Sequence, residues 1–177
     1  MSRVYLVRHG EAAAGWGDDP DPGLSDRGRQ QATAMAAWFA GAGIGPLPVV
    51  TSPLRRTRET AAALEAAWGV TARVDQAVGE VPSPTDDVGE RMAWLGQVLA
   101  TPWADWPAEL TAWRASVTDC LAGIGEDTVV VTHYVLITVA AGRQGYQPDH
   151  CSVTVLDNQG GALAVVAWGD QRATVVR

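Results

Sequence analysis

The sequence predicts an α/β protein in three layers, an αβα sandwich around a mostly parallel central sheet, folded as one domain over residues 1–177. Three observations predict it. Near-continuous apolar runs at 4–7 and 129–131 read as strands buried on both faces, the pattern of parallel sheets. Helix-like periodicity alternates with such runs along the chain. A length of 177 residues with 47% hydrophobic content suffices for one core.

The elements follow in order. Residues 3–8 form a first strand, and the Asp-, Pro- and Gly-rich stretch 18–23 is a loop. Ser25 caps a helix that carries Ala32, Met35 and Phe39 on one face and ends at Gly41. A short strand spans 47–51. Ser52 then serves as N-cap and Pro53 as first residue of a helix running to Trp68 before Gly69. Another strand is expected at 70–74. Val88, Met92, Leu95 and Leu99 mark a helix from Asp87 to Ala100. A further helix starts near Asp105, with Pro107 in its first turn and Leu110, Trp113, Val117 and Leu121 along one side. Residues 128–132 make the clearest strand, followed at once by a helix over 133–141. Strands near 152–157, 162–168 and 173–176 close the chain. Residues 81–110 are expected to form a small cap-like segment.

Composition narrows the function. A net charge of −7 and a pI near 4.8 argue against a nucleic-acid backbone as partner. All thirteen basic residues are arginine, which binds phosphate bidentately, although a GC-rich genome gives the same bias. Cys120 and Cys151 are too few for a disulfide framework and lack metal-site spacing. The longest apolar stretch, 128–141, contains His133 and is too short for a membrane span. A soluble cytoplasmic protein is expected, with no membrane partner.

Four segments carry the chemistry. Arg8-His9-Gly10-Glu11 ends the first strand and delivers a cation and an imidazole to a sheet edge, where Gly10 lets the backbone turn. Ser52-Pro53-Leu54-Arg55-Arg56-Thr57-Arg58-Glu59-Thr60 opens a helix whose N-terminus attracts anions. One of its three arginines should point to the site, the others lying on a solvated face with Glu59 paired to a neighbour. His133 ends a second buried strand, and adjacent parallel strands would bring it beside His9. Glu80 sits in an apolar loop between Val78 and Pro84, where burial would raise its pKa. The alternative there is an ordinary loop carboxylate. Trp94, Trp103, Trp106 and Trp113 either belong to the core or cap the pocket over an apolar leaving group. Asp18, Asp19 and Asp21 read as a solvated loop rather than a cation site, and residues 41–45 lack the strand-to-helix context of a dinucleotide loop. His150 could line the pocket mouth.

In this order the residues resemble the histidine phosphatase superfamily, which includes phosphoglycerate mutases and acid phosphatases. The resemblance rests on Arg8-His9-Gly10-Glu11, on Leu24-Ser25 with Gly28-Arg29-Gln30-Gln31-Ala32, on Ser52-Pro53-Leu54 with Arg56 and Thr60, and on the strand ending in His133. It implies a metal-independent phosphatase acting on a small phosphomonoester, with no cofactor. His9 would be the nucleophile, forming a phosphohistidine, and Arg8, Arg56 and His133 would hold the phosphoryl oxygens. Glu80 would be the proton donor. Such a nucleophile must be neutral, so its other ring nitrogen should donate to a fixed acceptor, a backbone carbonyl. The chain departs from the family pattern at Tyr134, where many members have glycine approaching the phosphate. Its N–H could serve, with the side chain turned away or forming a wall. The run after Glu80 also departs from the usual one. A protein phosphohistidine phosphatase, which dispenses with the acid, and a phosphate-binding module without turnover are the rival readings.

Overall fold

The computed structural model describes residues 1–13, 19–85 and 87–169. Among these residues six strands form one sheet: β1 (Ser2–Arg8), β2 (Val49–Thr51), β3 (Arg73–Val74), β4 (Thr128–Thr132), β5 (Val153–Gln159) and β6 (Ala162–Ala167). Their order is β3-β2-β4-β1-β5-β6. The first four run parallel, while β5 pairs antiparallel with β1 and β6 with β5. Five α-helices among the described residues surround it: α1 (Asp26–Gly41), α2 (Arg55–Trp68), α3 (Val88–Ala100), α4 (Ala108–Ala122) and α5 (Tyr134–Ala140).

Alternation along the strands builds two cores. Val4, Leu6, Val50, Val130 and Leu156 face one side, where they meet Val98 of α3, Leu110, Val117 and Leu121 of α4, and Leu136 of α5. Tyr5, Val7, Val49, Val129, Val131 and Val153 face the other, against Met35 and Phe39 of α1 and Leu64 of α2. The three layers are thus those expected. The tryptophans side with the core: Trp106 is buried in the first cluster and Trp94, Trp103 and Trp113 pack against it.

Helix ends follow the local chemistry. Ser25 Oγ accepts from Gly28 N at 2.9 Å and caps α1, while Gly69, with φ of 67°, ends α2. The expected start of α2 is corrected: Leu54 is its N-cap, so Pro53 stands before the helix. Ser52 is occupied by His133, and Asp21 takes over the capping role by accepting from Arg55 N at 2.9 Å. β2 starts at Val49, because Pro48 has no N–H to offer the ladder. β3 shrinks to two residues, since Ala72 N bonds to the Glu65 carboxylate instead of the sheet. A 3₁₀ turn, Trp103–Asp105, precedes α4, which begins only after Pro107. The strand expected at 173–176 lies outside the described residues.

Candidate active site

β1 and β4 are neighbours, in register from Val4 against Thr128 to Arg8 against Thr132. From their C-terminal ends the chain departs to opposite faces, through α1 and α5. Such a divergence leaves a crevice at the sheet edge, and a cavity of about 890 Å³ opens there. Its walls include Arg8, His9, Arg56 and Glu80. The two histidine rings lie 5.3 Å apart, as parallel neighbouring strands require.

The turn carrying His9 is held from several sides. Thr60 Oγ1 on α2 accepts from Gly10 N at 3.0 Å, and Gln31 Oε1 on α1 accepts from Glu11 N at 2.9 Å. Ser25 Oγ donates to Glu11 Oε1. Gly10 serves close approach rather than an unusual turn: a Cβ there would stand 2.7 Å from the Gly28 carbonyl oxygen. A Cβ on Gly28 would lie 2.1 Å from the Glu11 carbonyl oxygen. The motif around Gly28 is therefore the seat on which the His9 turn rests.

His9 Nδ1 lies 2.7 Å from the Gly10 carbonyl, an acceptor only, so Nδ1 carries the proton. Nε2 is left with its lone pair, which accepts from Arg56 Nε at 3.2 Å. Burial, then the neighbouring His133 and Arg56, pushes the His9 pKa well below its ordinary value and keeps the ring neutral.

Of the three arginines opening α2, Arg56 alone is buried, and Arg55 pairs with Glu59 on the solvated face. Arg56 Nη2 is 3.3 Å from Glu80 Oε2 and 3.4 Å from His133 Nδ1. The same Glu80 oxygen is 3.3 Å from His133 Nδ1, and Ser52 Oγ meets His133 Nε2 at 2.8 Å. His133 is wholly buried and forms no part of the cavity wall; Glu80 covers it. The expectation that burial raises the Glu80 pKa is overturned. Burial does push it up, but His133, Arg56 and His9 outweigh that and hold the carboxyl well below the usual carboxylate range.

Arg8 donates through Nη1 to the Pro148 carbonyl at 2.8 Å and lies over the Tyr134 ring, 5.4 Å from its centroid. Its buried Nε has no partner among the described residues. Tyr134 opens α5, and its side chain forms a wall of the cavity. His150 is at the cavity too, its ring 5.8 Å from that of His9. The backbone explains its placement: Cys151 takes the left-handed conformation, φ 56°, and donates to the Arg8 carbonyl at 2.9 Å. Burial lowers the His150 pKa to about 4.

The sequence reading missed the far wall. Met92, Leu95 and Leu99 of α3 line the cavity, as does Arg91, while no tryptophan among the described residues does. The 92-95-99 spacing is a helical face, but periodicity cannot say whether such a face meets a core or a cavity. Among the described residues no cluster of His, Cys, Asp or Glu could hold a metal ion, and no helix is long and apolar enough to cross a membrane.

Comparison with known proteins addresses family and fold. The sequence model of the histidine phosphatase superfamily, branch 1, matches residues 4–171. The chain is 39% identical over 82 residues to human 6-phosphofructo-2-kinase/fructose-2,6-bisphosphatase 4, spanning 44% of this chain and 18% of that protein. It is 33% identical over 120 residues to the glucosyl-3-phosphoglycerate phosphatase of Mycobacterium tuberculosis, 66% of this chain and 49% of that one. The chain thus spans half or less of these curated relatives. Among solved structures, a phosphoserine phosphatase from Entamoeba histolytica superposes with a TM-score of 0.76 at 18% identity, covering 99% of this chain and 100% of that one. A putative alpha-ribazole-5′-phosphate phosphatase from Escherichia coli gives 0.72 at 20% identity, with 100% of both chains covered. At such identities these two structures establish the shared fold.

Proposed function

Because the chain belongs to the histidine phosphatase superfamily, we propose that it is a phosphoric monoester hydrolase working through a phosphohistidine on His9. The observation that carries this reading is the His9 ring itself: Nδ1 tied to the Gly10 carbonyl, Nε2 with a lone pair, and a guanidinium 3.2 Å away. A neutral imidazole beside fixed cations can attack phosphorus without a base to activate it.

Nε2 forms the N–P bond as the bond from phosphorus to the ester oxygen breaks, and Glu80 gives that oxygen a proton. Water then attacks phosphorus, the N–P bond breaks, and Glu80 takes the proton back. Arg8 and Arg56 hold the phosphoryl oxygens and neutralise their charge. In the free protein Glu80 Oε2 lies where an oxyanion would meet both Arg56 and His133. The phosphoryl group takes that position and the carboxylate yields it, which exposes His133 Nδ1 to the third oxygen. The dianion also offsets the cations that hold the Glu80 pKa down, so the carboxyl gains the proton it needs. Tyr134 walls the pocket, and its N–H at the start of α5 faces the same anion.

Glu80 on the cavity wall favours ester hydrolysis over phosphohistidine hydrolysis, since an imidazole leaving group needs no such acid. The substrate is a small phosphomonoester and the site works without a metal. The test is rapid quench with a 32P-labelled ester. An acid-labile phosphoenzyme should form in wild type and be missing in His9→Ala. Full turnover by that variant would end the proposal.

A further inference from the structure

The cavity is far larger than a phosphoryl group, within the range that encloses a drug-sized molecule. Its two ends differ in chemistry. Arg8, His9, Arg56 and Glu80 form the polar end, and the same cavity continues onto Met92, Leu95 and Leu99. These stand at i, i+3 and i+7 on one face of α3, where Leu95 also packs partly against the core that buries Val98. Met92 is 45% exposed and Leu99 38%, large apolar side chains open to the cavity. Asp19 and Asp149 also line the cavity together with Arg91, two carboxylates to one guanidinium.

We infer that the leaving group of the substrate is apolar and packs on the Met92–Leu95–Leu99 face of α3, which makes these three residues the specificity determinants. This rests on the phosphatase reading above. One end of the ester is fixed with its phosphorus at His9, and the cavity leads its organic part onto α3. Removing that part from water also covers Met92 and Leu99, so binding strengthens with each methylene that reaches the helix. A compact polyanionic ester leaves the α3 face wet and meets the Asp19 and Asp149 carboxylates.

The test uses a homologous series, ethyl, butyl and hexyl phosphate, whose leaving alcohols are nearly equally basic, so that chain length alone changes. In wild type kcat/KM should rise about threefold per methylene until contact with α3 ends. In Met92→Ser/Leu99→Ser the rise should flatten to less than half that slope. The n-alkylphosphonates, which cannot be hydrolysed, should show the same two slopes in their inhibition constants, a readout that does not require turnover. Both replaced side chains are already exposed, and a thermal melt checks the fold. Hydrolysis with no dependence on chain length overturns the inference and leaves the phosphatase reading standing. An undiminished slope in the double variant overturns the assignment to α3. If no ester is hydrolysed and no phosphoenzyme forms, the phosphatase reading falls and this inference with it.

Discussion

The two ends of the cavity are built on opposite principles. At the phosphoryl end, His9 and His133 stand at the ends of adjacent buried strands, and each ring is fixed by at least one hydrogen bond. Two glycines pack the His9 turn against α1 so closely that neither has room for a Cβ. At the α3 end, exposed Met92 and Leu99 and half-buried Leu95 offer the cavity an apolar face beside Arg91. Rigid placement suits a step that depends on positioning and charge. A surface that accepts area rather than geometry suits selection of a leaving group, and it can change without disturbing the chemistry.

If that contrast holds, perturbations should differ in kind as well as size. Arg56→Ala should cost the most, about 10²–10³-fold in kcat/KM, because it removes a preorganised cation and leaves Glu80 facing the phosphoryl group uncompensated. Steady-state kinetics checks it, and a loss confined to KM would mean that Arg56 acts only in binding.

Glu80→Gln should slow an alkyl phosphate about 10²-fold or more, yet spare p-nitrophenyl phosphate, whose leaving group departs without a proton. Equal losses on both esters would remove Glu80 from the role of acid.

Gly28→Ala probes the scaffold. In an open helix the change stabilises by about 1 kcal/mol. Here the new Cβ meets the Glu11 carbonyl, so about 1–3 kcal/mol of destabilisation is expected by chemical denaturation, with activity reduced through the displaced His9 turn. A more stable variant would contradict the close approach.

The smallest effect is in the pH dependence of stability. His9 and His150 have folded pKa values below the 6.5 of a free ring, His150 at about 4. The unfolded chain therefore binds more protons as pH falls below 6.5, and stability drops. Glu80, held low when folded, adds the same sign below about 4.5. The melting temperature should decline from pH 6.5 towards 4, and His150→Gln should make that decline shallower. A melting temperature that climbs on acidification would refute the assignment.

The chain's punctuation made much of this readable in advance. Apolar runs leading to His9 and His133 identified two buried strands, and Ser25 and Gly69 marked helix ends, because each signal depends on neighbours in sequence. Pro53 misled: its fixed φ suits a first helical turn, but Ser52 was already bonded to His133, eighty-one residues away. The Glu80 loop misled more deeply. Its apolar neighbours were visible, but the charges brought to it by α2 and β4 were not.

By itself the sequence determined the layered α/β fold, the order of the motifs and the residue types that meet at the sheet edge. Periodicity and capping are local, and hydrophobic burial follows from them. Tertiary structure decided which groups stand against which. It set Glu80 between Arg56 and His133 and so reversed its pKa shift, turned one apolar face of α3 to a cavity, and brought His150 to within 5.8 Å of His9. Charge and contact depend on distance through space, which a linear pattern does not contain.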